Sequence, residues 1–115
     1  MQRRSRLSRS RDFDAVYRHG RSVSTRFLVL YSFPREDGSP ESRLGLAVPR
    51  TIGGAVGRNR VKRKLRAVWT ELADRIEGGR DYVLIARPGL AEALETHGFE
   101  WLRERVDEVA RKSVA

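Results

Sequence analysis

The chain has 115 residues, with 24 Lys+Arg against 15 Asp+Glu, a formal charge of +9 at pH 7 and a pI near 11.1. That length fits one domain, 1–115, of radius of gyration about 13 Å, and a 39% hydrophobic content with two Trp, four Phe and three Tyr is too apolar for a disordered chain. The absence of cysteine excludes disulfide frameworks and thiolate metal centres, and the longest apolar runs, Phe27–Tyr31 and Tyr82–Ala86, fall far short of the roughly twenty residues of a membrane span.

In chain order, the Arg-rich start is followed by no apolar stretch, so 1–9 reads as a flexible basic N-terminus rather than a secretory signal. The expected setting is the cytoplasm. A helix is predicted from about Arg11 to His19, with Ser10 as N-cap, Asp12 and Asp14 at the positive end of its dipole and Gly20 as its stop. Phe13, Val16 and Tyr17 form its apolar stripe. Arg26–Phe33 predicts a strand with Phe27, Val29, Tyr31 and Phe33 on one face and Leu28, Leu30 and Ser32 on the other. After a polar turn, a second strand is expected over Arg43–Pro49. Leu44, Leu46 and Val48 alternate there with Gly45 and Ala47, small residues that would admit the close approach of a helix or ligand.

The longest predicted helix runs from Ala55 or Gly57 to Ile76, with Val61, Leu65, Val68, Leu72 and Ile76 on its core face. Tyr82–Ala86 is apolar on both faces and predicts a covered strand. A helical turn around Leu90–Leu94 and a helix from about Phe99 to Lys112 complete the chain, the latter with Asp107→Arg111 and Glu108→Lys112 at favourable spacing. The order helix, two or three strands, helix, strand, helix describes one α+β domain.

Charge is segregated: residues 1–35 carry +7, residues 36–67 carry +5 and residues 68–115 carry −3. Six bases, Arg58, Arg60, Lys62, Arg63, Lys64 and Arg66, lie within nine positions, and no acid falls between Arg43 and Trp69. With Arg58 set to zero on a helical wheel, the apolar residues occupy an arc of about 280–340° and the polar ones about 40–240°. Unpaired cations on one rigid helix call for a polyanion, and Asn59 among them can bond a base edge or a ribose hydroxyl. Phe13, Tyr17 and Tyr31 have the periodicity of core aromatics. The setting beside Arg9, Arg11 and Arg18 equally suits bases stacking in a single-strand cleft.

No catalytic constellation accompanies these features. His19 and His97 stand 78 positions apart, each near a predicted helix end. No His/Asp/Glu cluster has zinc spacing, no nucleophile elbow is present, and Arg58-Asn59 occupy the places where a Walker loop needs Lys and Ser or Thr. Gly54-Ala55-Val56-Gly57 matches the GxxG loop of KH domains. A ribosomal or KH-like RNA-binding module is therefore an alternative reading. A DNA-binding protein is disfavoured because no recognition-helix pair is visible.

The run from Gly45 through Arg63, centred on Arg58-Asn59-Arg60, resembles the signature of the bacterial ribonuclease P protein component, as do Phe13-x-x-Val16-Tyr17-x-x-Gly20, Arg26–Tyr31 and Asp81–Arg87. The resemblance implies a two-layer α–β sandwich related to the second domain of a small-subunit ribosomal protein, with a left-handed βαβ crossover that physics alone would predict right-handed. It implies a monomeric subunit of an endoribonuclease whose catalytic RNA holds Mg2+ and removes the 5′ leader of precursor tRNA. On matching positions, Arg58, Asn59, Arg60, Lys62, Arg63, Lys64 and Arg66 would bind that RNA. Phe13, Tyr17 and Tyr31, with Arg9 and Arg11 beside them, would bind the leader, and no side chain would bind metal. Two departures stand out: Pro49-Arg50-Thr51 replaces the family's frequent Ser-Lys-Lys, and Tyr17 its frequent Phe.

Overall fold

Alternating and helical apolar periods fold into the elements they predict, with Gly and Pro as punctuation. The computed structural model describes residues 5–114. Its elements are α1 (Ser10–His19), β1 (Arg21–Ser24), β2 (Leu28–Pro34), β3 (Arg43–Ala47), α2 (Ala55–Glu71), β4 (Arg80–Ala86), α3 (Leu90–His97) and α4 (Phe99–Val114), with 3-10 turns at Arg50–Ile52 and Ala73–Arg75. The radius of gyration is 13.3 Å. No helix among the described residues is long and apolar enough to cross a membrane.

The four strands form one sheet in the order β1-β2-β4-β3. β4 pairs antiparallel with β2 and parallel with β3, so β3, α2 and β4 make a βαβ unit. Being central, β4 is buried along nearly its whole length, which is why its apolar residues do not alternate with polar ones. The predicted two-sided pattern holds from Leu28 to Phe33, but Phe27, expected beside Tyr31 and Phe33, precedes β2 and packs on the main core with its ring 5.1 Å from Trp101. Leu28 and Leu30 join Leu44, Leu84 and the inner faces of α2, α3 and α4 in the main core. Tyr31, Phe33 and Val83 point to the opposite face, where α1 packs with Val16 fully buried.

Several details differ from expectation. Arg21–Ser24 forms a separate short strand. Its single apolar residue, Val23, gives too little periodic signal to be read. Ser10 is the first residue of α1 and not its cap; Arg9 holds the cap position and makes no side-chain capping bond. α2 ends at Glu71, and Leu72 continues the apolar period only as the entry to a 3-10 turn. Lys112 Nζ donates to the Ser24 carbonyl at 2.8 Å instead of pairing with Glu108. The expected flexible segment 1–9 lies outside the described residues for 1–4. The rest of it is docked: Leu7 is buried and donates its backbone N–H to the Leu44 carbonyl at 2.9 Å, and Arg6 bridges Leu44 in parallel fashion. Leu7 thus lies along the free edge of β3 and packs with Val16 and Val83 under α1.

Candidate nucleic-acid interface

α1 lies across the sheet face that the main core leaves free. Val16, with no exposed surface, anchors it, which turns Tyr17 outward to 41% exposure. The Tyr17 ring stands 6.3 Å from Phe13 and meets Tyr31 of β2 edge-on at 5.2 Å. The three aromatics thus form one cluster, partly core and partly open to solvent. Burial, and then the neighbouring Tyr31, raises the pKa of the Tyr17 hydroxyl above its ordinary value. Next to the cluster lie Val29, Ala47 and Ile85, each half-buried on the same sheet face.

Arg9 and Arg11 are placed differently. They are exposed and line a groove of about 690 Å³ at the N-terminal end of α1, together with Arg6 and Arg43 and the carboxylates Asp12, Glu36, Asp37 and Asp81. None of the three aromatics borders that groove. Arg6, Arg9 and Arg11 have no carboxylate partner among the described residues.

The cations of α2 fall on two sides of the helix. Arg58, Lys62 and Arg66, spaced i, i+4, i+8, form a half-buried stripe with Lys64 also half-buried, whereas Asn59, Arg60 and Arg63 are exposed. None of the six cations forms an ion pair among the described residues. Arg58 Nε is buried without a hydrogen-bond partner. Burial, and then the proximity of Arg6, lowers the Arg66 guanidinium from its ordinary value, although an arginine remains charged. The docked N-terminal segment therefore brings a seventh cation beside this helix, a neighbour that only the tertiary pairing with β3 reveals. Val56, 76% exposed in the first turn, is an apolar residue turned outward beside the cations.

Among the described residues no three His, Asp or Glu side chains gather where a metal ion could sit. His19 packs on Phe33 at 5.9 Å and His97 on Trp101 at 5.3 Å, so both serve as helix-end packing rings. Gly54–Gly57 opens α2 behind β3 and a 3-10 turn rather than joining two α-helices, which removes the support for a KH module.

The family model described as Ribonuclease P matches residues 1–113. The chain belongs to this family. It is 37% identical over 113 residues to the ribonuclease P protein component of Bacillus cereus strain AH187, covering 98% of this chain and 94% of that one. With the same component of strain G9842 it shares 42% over 92 residues, 80% of this chain and 79% of that protein. The ribonuclease P protein from Thermotoga maritima superimposes with a TM-score of 0.85 at 32% identity, covering 93% of this chain and 96% of that structure. That from Staphylococcus aureus gives 0.82 at 26%, covering 93% of both chains. Family membership makes the chain the protein component of an endoribonuclease whose other part is RNA, in accord with the expected α+β sandwich and with a basic helix free of counterions.

Proposed function

We propose that the chain holds the catalytic RNA of ribonuclease P on α2 and takes the single-stranded 5′ leader of precursor tRNA against α1 and the open sheet face. The observation that carries this reading is the pairing of two unlike surfaces. One is a helix whose six cations form no ion pair among the described residues, and the other is a cluster of Phe13, Tyr17 and Tyr31 on the opposite sheet face. Arg58, Arg60, Lys62, Arg63, Lys64 and Arg66 neutralise phosphates of the RNA, and Asn59 bonds a base edge or a 2′-hydroxyl. Unpaired leader bases stack on the aromatics because every base has a π-face, which makes the grip tolerant of sequence. Arg9 and Arg11 then receive leader phosphates beyond the cleft.

Magnesium ions held by the RNA supply the chemistry of phosphodiester hydrolysis. The carboxylates of this chain are largely committed to ion pairs, as Asp81 is to Arg43 and Asp107 to Arg75 and Arg111. The protein binds and orients the substrate, as one copy per RNA in the cytoplasm. The test is cleavage of precursor tRNA by a bacterial ribonuclease P RNA at low magnesium, with and without this protein. Stimulation that grows with leader length is expected, and no stimulation would refute the assignment.

A further inference from the structure

Three rows of side chains cross the sheet face under α1. Strand register aligns Phe33, Asp81 and Arg43 in the first, Tyr31, Val83 and Gly45 in the second, and Val29, Ile85 and Ala47 in the third. Each row meets the helix differently. In the first row, Arg43 donates two hydrogen bonds to the nearly buried Asp81, from Nε and Nη2 at 2.7 Å each. Its Nη1 stands 3.7 Å from Asp12 of α1. In the second row, a Cβ at Gly45 would come within 2.5 Å of Phe13 Cζ, 2.8 Å of its Cε1 and 3.2 Å of Leu7 Cβ. The ring of Phe13 fills the space that any side chain at 45 would need. The third row remains half-buried beside the aromatic cluster.

We propose that Gly45, with the Arg43–Asp81–Asp12 ion cluster beside it, is a positioning device that seats α1 and thereby sets the aperture of the leader cleft. Asp12 and Phe13 are adjacent in the chain, so one turn of α1 is held both by charge and by a hole on the same face of β3. Displacing Phe13 from that hole acts directly on the cleft, because its ring leads to Tyr17 and through Tyr17 to Tyr31. Gly45 lies on a different strand from the leader-facing Tyr31 and is buried, while Asp12, Arg43 and Asp81 line the groove that also carries Arg9 and Arg11. This inference rests on the cleft assignment made above.

The experiment uses the reconstituted holoenzyme and compares affinity for precursor tRNA with that for leaderless tRNA. Gly45→Ala should weaken the leader-dependent part about tenfold, since sub-ångström to 1 Å misplacements carry effects of that order or larger. Affinity for leaderless tRNA and for the RNA subunit should stay unchanged. In a Phe13→Ala background, Gly45→Ala should have no further effect, because the ring it displaces is gone. Asp12→Asn keeps the Arg43–Asp81 pair and should cost the leader contribution roughly two- to threefold, as a half-exposed ion pair does. Equal losses for both substrates, or full additivity with Phe13→Ala, would overturn the positioning role. If Gly45→Ala does not fold, an Asp12→Asn protein with undiminished leader dependence overturns it instead. Loss of leader dependence in Phe13→Ala confirms the cleft independently; its persistence there would overturn the cleft assignment itself.

Discussion

The two long helices pack side by side on the same sheet face, with 17 residues in α2 and 16 in α4, yet they treat charge in opposite ways. α4 brings its own counterions. Arg103 meets Glu100 and Glu71 at 2.8 Å, Arg105 meets Glu104 and Glu108 at 3.7 and 3.8 Å, and Arg111 meets Asp107 at 2.9 Å. Among the described residues α2 has no such partner for any cation from Arg58 to Arg66, and its one ion-paired residue there is Glu71 at its end. Like charges one helical turn apart are individually unfavourable. Six unpaired cations on α2 are what the proposed contact with RNA would neutralise, whereas the cations of α4 are neutralised within the fold.

The largest effect should come from α2. Reversing Arg60 and Arg63 to Glu should lower affinity for the RNA subunit by more than about a hundredfold, and Arg58→Ala or Arg60→Ala by roughly tenfold, with leader-length dependence intact. Filter binding against salt should give a log–log slope of about −4 if about five phosphates are contacted. A flat slope would erase the distinction between the helices. Phe13→Ala should do the reverse, losing about tenfold in affinity for leader-bearing substrate through lost stacking while RNA-subunit binding stays intact. Identical phenotypes for Arg60→Ala and Phe13→Ala would merge the two surfaces into one. On α4, Arg111→Ala should leave RNA affinity within about twofold of wild type and lower the thermal midpoint by about 2 °C or less.

The smallest effect concerns the core beneath α2. Tyr82 packs on Trp69 at 5.2 Å and donates its hydroxyl to the Glu77 carbonyl at 2.9 Å; burial pushes its pKa from 10.0 up to about 12. The folded state holds this proton more tightly than the unfolded chain. Its contribution is therefore complete below pH 10 and is lost as pH rises from about 10 to 12. Tyr82→Phe should flatten that stretch of a denaturation-versus-pH profile, and an unchanged slope would show that Tyr82 does not titrate there.

Residues whose role follows from local period were legible in the chain. The apolar arc Val61, Leu65, Val68 and the cationic arc of α2 lie where a helical wheel puts them, and β2 presents Tyr31 and Phe33 away from Leu28 and Leu30 as a period of two requires. Even the smallness of Gly45 was readable as room for a helix, although which helix and which ring were not. What escaped depends on partners distant in sequence. Leu7 looks like a lone apolar residue among Arg and Ser until β3 offers it an edge. Asp81 looks like the polar start of a strand until Arg43, 38 positions away, forks onto it. Arg9 and Arg11 flank the aromatic stripe in sequence, but helical geometry turns them into the neighbouring groove. The nearness of Arg6 to Arg66, which repels it, relates chain segments that no local pattern connects.

The strand order carries a consequence for how the molecule is made. β4 is one of the two interior strands, bonded to both β2 and β3, yet it is the last of the four along the chain. β1, β2, β3 and α2 all precede Arg80–Ala86 along the chain. Without β4 the apolar stripe of α2 and the inner edges of β2 and β3 lack their partner. Closure of the sheet is thus a single late, non-local event, and folding should be paced by the insertion of β4 rather than by the early formation of its helices.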